Sequence, residues 1–327
     1  MALTVALAGD TMLGRAVAAR LRRSPSAGAL FSEPVRAALA EADLRVLNLE
    51  CCVSDRGEPW DAPGKLYFFR APPAAADVLA ELGTDCVTLA NNHALDFGRD
   101  ALADTCTLLH RAGIRTVGAG RDARSARRFT VLEAAGVRLA VVGVTDHPAD
   151  YAAGEHRPGV AYADLRRGVP DWLTGLVGRA ARAADAVLLT PHWGPNMTTR
   201  PPGRVAAAAP ALLAAGATVI AGHSAHVFHG VAERVLYDMG DFVDDYAVHP
   251  FLRNDLGLLF LLTLDGPDPA QLRPVRLRAL PLHLDHCWTR TARGAELSWI
   301  RDRFTDACAE FGTEVAEDDG WLAVEWG

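Results

Sequence analysis

The chain has 327 residues, half of them hydrophobic and 22% of them charged, and its formal net charge is −7. These values are typical of a soluble globular protein, and the length can bury a sizeable core in one large domain or two. The acidic balance argues against nucleic acid as the main partner. No apolar stretch approaches the roughly eighteen residues that span a membrane.

The sequence indicates a cytoplasmic location. The N-terminal stretch MALTVALAGD has no basic residues ahead of its apolar part, so we expect no targeting segment. The six cysteines show no CxxC spacing, and Cys51 and Cys52 are adjacent, which favours free thiols in a reducing compartment. Lys65 is the only lysine, and together with the abundant alanine we interpret this as the mark of a high-GC genome.

The first two-thirds of the chain alternate short apolar runs with helical patterns. The predicted strands are 3–10, 44–50, 85–92, 129–146 as a hairpin that turns near Gly136, 186–194 and 217–223. The predicted helices are 15–23, 72–83, 98–113, 171–185 and 204–216.

Later in the chain, strands follow one another without helices between them. The predicted elements are strands 233–242, 256–265 and 274–285, a helix at 295–312 and a strand at 321–326. Alternation followed by a strand meander predicts an α/β protein with two sheets and helices outside them. We expect a catalytic domain over 1–265 and a strand–helix–strand extension over 266–327 that packs on it. The long loops 54–72, 147–160 and 195–204 are candidates for function.

Five of the predicted strands end in side chains that bind metals well. In chain order these side chains are Asp10, Asn48 and Glu50, Asn91 to His93, His192, and His223 with His226. The carboxyl ends of strands in an open α/β sheet converge on one edge, so two carboxylates, an amide and three histidines are expected in one cleft. Six donors suit two ions about 3.5–4 Å apart that share a carboxylate. Imidazole and carboxylate together favour Mn, Fe, Zn or Co.

Each of these residues alone is weak evidence. A single strand-end aspartate is more often a turn former or a helix cap. A lone histidine is usually part of the hydrogen-bonded structure, which is our interpretation of His110, His156, His249, His283 and His286. The combination over five strands carries the prediction of a metal site.

Six sequence motifs resemble those of one family. In chain order they are GDTMLGR (9–15), NLE (48–50), LANNHALDFG (89–98), HWG (192–194), AGHSAH (221–226) and VLYDMGDFV (235–243). They are similar to the motifs of the CapA/PgsA-like family, which is named for bacterial capsule and poly-γ-glutamate synthesis. That family belongs to the calcineurin-like metallophosphoesterase superfamily. The resemblance implies a four-layer α/β/β/α sandwich of two mixed sheets with flanking helices, and a two-metal centre.

The resemblance also implies roles for single residues. Asp10 and His226 match ligands of the first metal, and Glu50 matches the bridging carboxylate. The ligands of the second metal match Asn92, His192 and His223.

A proton-transfer residue and several substrate contacts are implied as well. His93 matches the non-ligand histidine that acts as general acid or substrate clamp, and Asp96 would orient it. Arg15, beside the Asp10 motif, is the best candidate to bind a phosphate or carboxylate. The other candidate substrate-binding residues are Asn48, Asn91, Arg70 and Arg200, and for the two arginines a solvated surface role competes with this one.

The sequence departs from the family pattern at several positions. Met12 stands where the superfamily usually has a histidine, so we expect the first metal to bind weakly. The other departures lie after HWG, within AGHSAH and in the last motif: Asn196 and Met197, Ser224 and Ala225, and Asp241 in place of asparagine. We expect no membrane anchor of the kind that precedes the catalytic domain in capsule-type members.

Three functions are consistent with these residues. The one we favour is metal-dependent hydrolysis of a small anionic phosphoester or of a peptide or glutamyl amide, with His93 as general acid. The second is cofactor-independent epimerisation at a peptide Cα, in which a carboxylate and a histidine remove and return a proton. The third is a non-catalytic metal-binding module. The expected partner is a small-molecule or peptide substrate, with no nucleic acid and no membrane, and the sequence does not indicate an oligomeric state.

Overall fold

The computed structural model describes residues 2–268 and 271–326. The helices in these ranges are α1 (Arg15–Arg23), α2 (Ala27–Leu30), α3 (Glu33–Ala40), α4 (Ala75–Glu81), α5 (Gly98–Arg111), α6 (Ala123–Ala126), α7 (Asp171–Ala183), α8 (Gly203–Ala214) and α9 (Ala295–Ala309).

The strands of the first half of the chain are β1 (Ala2–Thr11), β2 (Leu44–Leu49), β3 (Cys52–Val53), β4 (Arg70–Ala71), β5 (Cys86–Thr88), β6 (Arg115–Val117), β7 (Ala119–Gly120), β8 (Thr130–Ala134), β9 (Val137–Thr145) and β10 (Gly159–Val160). Those of the second half are β11 (Ala186–His192), β12 (Val219–Ala221), β13 (Val231–Ala232), β14 (Val235–Leu236), β15 (Asp241–Val243), β16 (Leu256–Asp265), β17 (Arg273–Asp285), β18 (Trp288–Thr291), β19 (Ala316–Asp318) and β20 (Trp321–Glu325).

Two large mixed sheets dominate the fold. The ten-stranded sheet has the order β19-β20-β17-β16-β1-β2-β5-β6, with β15 also paired to β1 and β18 to β17. The six-stranded sheet has the order β13-β14-β12-β11-β9-β8. In the first sheet β1 pairs in parallel with β2 and antiparallel with β16. The predicted α/β class is confirmed.

The central strands are buried on both faces, which is why they read as nearly continuous apolar runs. In β1, Ala6 belongs to a buried cluster that includes side chains of α1, α3 and α4, whereas Leu7 belongs to a cluster shared with the six-stranded sheet. In β11, Leu188 lies in the shared cluster, and Leu189 lies in a third cluster with side chains of α7 and α8. Successive residues therefore face opposite sides, as the strand period requires.

One predicted strand is wrong, because the structure divides it into two strands. The apolar run 233–242 forms β14, in the six-stranded sheet, and β15, which pairs in parallel with β1 in the other sheet. The chain passes from one sheet to the other through Gly240, whose φ of 72° is unfavourable for other residues. The carbonyl oxygen of Gly240 accepts a hydrogen bond from the backbone N–H of Asp10.

The C-terminal part of the chain continues the ten-stranded sheet. β17, β18 and β20 add to it on the far side of β16. The division between 1–265 and 266–327 stays a prediction. Within the described residues, no helix has the length and apolar character needed to span a membrane.

Candidate metal centre

Donor side chains from both sheets meet beyond the ends of the central strands. β1 runs parallel to β2 and β15 in a register that places Asp10 beside Asn48 and Asp241. His192 is the last residue of β11 and forms a bridge with His223, which follows β12. Because the carboxyl ends of parallel strands open on the same edge, residues that are distant in sequence share one buried cluster.

The first group of potential ligands is Asp10, His192 and His223, whose donor atoms lie within 4.8 Å of one another. Asp10 Oδ1 is 3.9 Å from His192 Nδ1 and 3.6 Å from His223 Nδ1. The two imidazoles approach to 2.7 Å between their Nδ1 atoms. Thr190 Oγ1 lies 3.2 Å from His223 Nε2 and fixes the other side of that ring.

The second group is Asp10, Glu50, His226 and Asp241, again with donor atoms within 4.8 Å of one another. His226 Nδ1 is 2.8 Å from Asp241 Oδ1 and 3.4 Å from Asp10 Oδ2. Asp10 therefore belongs to both groups, whereas the resemblance gave the shared position to Glu50. Glu50 is fully buried, and its Oε1 is 3.8 Å from Nε2 of His192, a residue of the first group.

Several atoms at the cluster have no hydrogen-bond partner among the described residues. They are Asp10 Oδ2, both carboxylate oxygens of Glu50, Asn92 Oδ1, His192 Nε2 and Asp241 Oδ2. Buried polar atoms are nearly always hydrogen bonded, and each of these atoms can give an electron pair to a cation. Carboxylate and imidazole donors in this number fit divalent transition metals.

The pKa shifts of the side chains in the cluster also favour a bound cation. Burial raises the pKa of Asp10 and, together with the charge of Asp10, raises that of Glu50 well above its ordinary value. Burial lowers the pKa of His223 to about 3. It also opposes protonation of His226, but the carboxylates of Glu50 and Asp10 outweigh it and raise the pKa of that ring. Cations held among these side chains would offset the cost of burying so many carboxylates.

His93 lies at the cluster without belonging to either group. Its Nδ1 is 2.7 Å from Asp96 Oδ2, and its ring stacks on Phe69 with centroids 4.0 Å apart. A carboxylate can only accept, so Nδ1 carries the hydrogen and Nε2 is left for proton transfer. Burial lowers the pKa of His93 although Asp96 opposes this, so the neutral ring with a bare Nε2 predominates.

Asp96 is held by three donors from two other segments of the chain. Lys65 Nζ is 2.8 Å from Asp96 Oδ1, and the hydroxyl of Tyr151 donates to the same oxygen at 3.0 Å. The backbone N–H of Phe69 donates to Oδ2 at 2.6 Å. The only lysine of the chain thus fixes the carboxylate that orients His93.

Asn48 and Asn91 form a buried relay that ends at Asp10. Asn91 Nδ2 donates to Asn48 Oδ1 at 2.9 Å, and Asn48 Nδ2 donates to Asp10 Oδ1 at 2.6 Å. Both side chains are buried, which gives them a position from which to orient Asp10. Their predicted contact with substrate stays a prediction. Asn92 is half-buried, and its backbone oxygen accepts from Lys65 Nζ at 3.2 Å.

A pocket of about 490 Å³ lies above the cluster. Its lining includes Arg15, Tyr67, Phe69, His93, His226 and Tyr246. Arg15 Nε donates to Asp245 at 2.9 Å, and the guanidinium lies 5.2 Å from the ring centre of Phe69. The one arginine in this lining is therefore already paired with a carboxylate.

The other two candidate arginines lie elsewhere. Arg70 donates to the backbone oxygens of Arg56 and Gly57 and lies over the ring of Phe97. Arg200 pairs with Glu310 at 2.7 Å and is 71% exposed. Neither lines the pocket, so their role in substrate binding stays a prediction.

Comparison with known proteins identifies the family. A model of the family described as "Bacterial capsule synthesis protein PGA_cap" matches residues 4–246. The chain belongs to this family.

Relatives in the family share about a third of the sequence or less. A probable polyglutamine synthesis accessory protein of Mycobacterium tuberculosis (strain ATCC 25618 / H37Rv) is 33% identical over 84% of this chain and 74% of its own length. The PGA biosynthesis protein CapA of Bacillus subtilis (strain 168) is 28% identical over 74% of this chain and 63% of its own length. Among solved structures, a hypothetical protein of Thermus thermophilus is 14% identical, with a TM-score of 0.48 over 86% of this chain and all of its own.

Three residues of this PGA_cap member were not assigned roles from the sequence. Asp241 was noted only as a departure from the family's asparagine, yet it lies in the second group of donors. Asp238, in the same motif, accepts backbone hydrogen bonds from Ala225 and Gly240 and so fixes the segment that carries His226. The one sequence feature that singles out Lys65 is that the chain has no other lysine.

Proposed function

We propose that this PGA_cap member is a metal-dependent hydrolase of an amide bond in a glutamyl or other peptide substrate, in a role related to capsule or poly-glutamate synthesis. The observation that carries the proposal is the pair of buried donor groups that share Asp10 beside the His93–Asp96 pair. The family and the names of its relatives support the biological role. An amide is favoured over a phosphoester because Arg15, the cation of the pocket, is already bound to Asp245.

We also infer the metallophosphoesterase-like four-layer α/β/β/α arrangement. Three of the buried clusters support it, because one lies between the sheets and the other two lie between a sheet and helices. A cytoplasmic location is part of the same proposal, and the free cysteines, five of them buried, support it.

The proposal takes the ligands of two ions from the two donor groups. Asp10, His192 and His223 would hold one ion, and Asp10, Glu50, His226 and Asp241 would hold the other. When bound, the ions would acidify water and neutralise charge that develops on the attacked carbonyl. Asn92, with an unpartnered Oδ1, is the neutral ligand that the resemblance implies.

The chain itself supplies proton transfer. His93 accepts a proton at Nε2 from the attacking water and returns it to the nitrogen of the leaving amine as the C–N bond breaks. Asp96 stabilises the charged ring between these two events, because its carboxylate lies 2.7 Å from Nδ1. His93 is thus the general acid of the second event.

A second candidate is epimerisation at a peptide Cα. The large hydrophobic side chains that are exposed in the described structure are Leu66, Tyr67, Val248 and Phe251. Tyr67 lines the pocket, and Leu66 and Val248 are next in sequence to lining residues, whereas Phe251 lines a separate depression. This apolar rim favours a substrate with an apolar side chain, and a bare His93 Nε2 can take a proton from carbon as well as from water.

Two substitutions test the proposal on a γ-glutamyl peptide with added Mn²⁺. We expect His223→Ala to lose metal and turnover together. His93→Ala should keep its metal and lose turnover by on the order of 10²–10⁴-fold. Wild-type turnover in His93→Ala would refute the proton-transfer role. Deuterium uptake at Cα from D₂O without amine release would replace the hydrolase with the epimerase.

A further inference from the structure

A second concavity, of about 720 Å³, shares no lining residue with the pocket above the metal cluster. Its lining contains one aspartate and five arginines, which are Arg121, Arg124, Arg127, Arg128 and Arg179. We call it the arginine pocket. It lies at the segment between β7 and β8, and α7 contributes Arg179.

The positive charge of the arginine pocket is not balanced within it. Asp122 is the aspartate, and its carboxylate caps α6 by accepting the N–H and hydroxyl of Ser125. Arg121 lies 3.6 Å from that carboxylate and is 90% exposed. The pocket therefore combines five positive charges with one negative charge, in a chain whose formal net charge is −7.

The other four arginines have no ion pair or side-chain hydrogen bond with any residue that the structure describes. Arg127 contacts a ring instead, since its guanidinium lies 4.2 Å from the ring centre of Trp172. Elsewhere in the molecule, exposed arginines such as Arg138 and Arg166 are paired with aspartates. Unpaired guanidinium groups gathered in a concavity leave their donors free for an anion.

The basic surface extends beyond the arginine pocket. An adjoining depression of about 270 Å³ shares Ser125, Arg128 and Phe129 with it and adds His110 and Arg115. It runs over β6 and the start of β8, which are edge strands of the two large sheets. The two depressions together form an elongated surface and not a closed cavity for one small ion.

We propose that the arginine pocket and the adjoining depression bind an extended polycarboxylate, as a segment of a poly-glutamate chain would present. The identity of this polymer rests on the proposed function. Guanidinium groups pair with carboxylates through two parallel hydrogen bonds. Single-stranded nucleic acid fits less well, because successive bases stack on several aromatic side chains. Among the described residues that line the two depressions, Phe129 is the one phenylalanine, tyrosine or tryptophan.

The binding experiment compares two charge-reversed variants of equal net charge. The test variant is Arg124→Glu with Arg128→Glu. The control is Arg22→Glu with Arg23→Glu, at two exposed positions of α1. Each changes the formal net charge from −7 to −11, because each substitution contributes −2. The probe is a fluorescent poly-γ-glutamate oligomer, with polyphosphate and a DNA oligonucleotide of equal charge as competitors, at low and at physiological salt.

We expect the wild type and the control to bind the oligomer within about threefold of each other, and the test variant to bind at least about tenfold more weakly. Three results would overturn the proposal. They are no binding by the wild type, equal weakening in both variants, and stronger competition by polyphosphate or DNA than by unlabelled poly-γ-glutamate. Turnover of a small γ-glutamyl peptide, measured on the same samples, reports separately on the hydrolase, because neither arginine pair lies at the metal cluster.

Discussion

Asp10 is the residue on which the candidate site depends most. It belongs to both donor groups, and the relay from Asn91 through Asn48 fixes its Oδ1. The sequence predicted this aspartate because it ends a buried strand beside glycine. The sequence could not show that two donor groups share Asp10. That sharing depends on β15, which lies parallel to β1 and places Asp241 opposite Asp10.

Asp241 bears on the expectation, drawn from Met12, that the first metal binds weakly. Met12 is fully buried, and its sulfur accepts the backbone N–H of Gly14, so it takes part in the packing of the turn. Asp241, on another strand, is a further potential ligand, because it adds a carboxylate to the group of Asp10, Glu50 and His226. The weak binding expected at the first metal stays a prediction, and Asp241 is a donor that this expectation did not count.

Lys65 provides a test of positioning. Lys65→Met keeps the length of the side chain and removes the charge that pairs with Asp96. We expect kcat to fall by about 10–100-fold, with a smaller change in KM and unchanged metal content, because partners that orient reactive groups contribute on this scale. Lys65→Arg should recover most of the rate, since it restores the ion pair. Equal kcat in Lys65→Met and wild type, with both folded, would exclude the role.

At the scale of elements, the passage from β14 to β15 brings the two sheets together under the two donor groups. From the sequence, 233–242 resembles one strand, because the run is apolar at both ends. The break depends on the contact of the Gly240 carbonyl with the backbone of Asp10, more than two hundred residues earlier. Local pattern cannot reveal such a contact, although it did predict the hairpin of β8 and β9.

A substitution at Gly9 tests how closely β1 and the segment between β14 and β15 must approach each other. A Cβ at Gly9 would lie 1.9 Å from the Gly240 oxygen, so Gly9→Ala must push β1 away from the segment that carries Asp241. We expect a loss of about 1–3 kcal/mol in the free energy of unfolding, measured by denaturant titration. The control is Gly203→Ala at the start of α8, where no atom lies within 4 Å. It should be at least as stable as wild type, and equal stability of the two variants would contradict the packing argument.

On the scale of the whole molecule, charge is distributed very unevenly. Buried carboxylates gather where the two sheets meet, at Asp10, Glu50, Asp238, Asp241 and Asp244. Five arginines line the arginine pocket, and four of them have no ion pair with any residue that the structure describes. The net charge of −7 could not predict this separation, because it is a sum over all residues and does not depend on where they lie in the fold. The strand–helix alternation did predict the α/β class, since it follows from local periodicity alone.

The central claim is that the two donor groups that share Asp10 hold divalent metal. Elemental analysis of the full chain, purified without chelators from metal-replete cells, tests it most directly. We predict about two transition-metal ions per chain in the wild type, and a lower content in Asp241→Asn, which restores the residue typical of the family. A folded wild-type protein without transition metal would contradict the account.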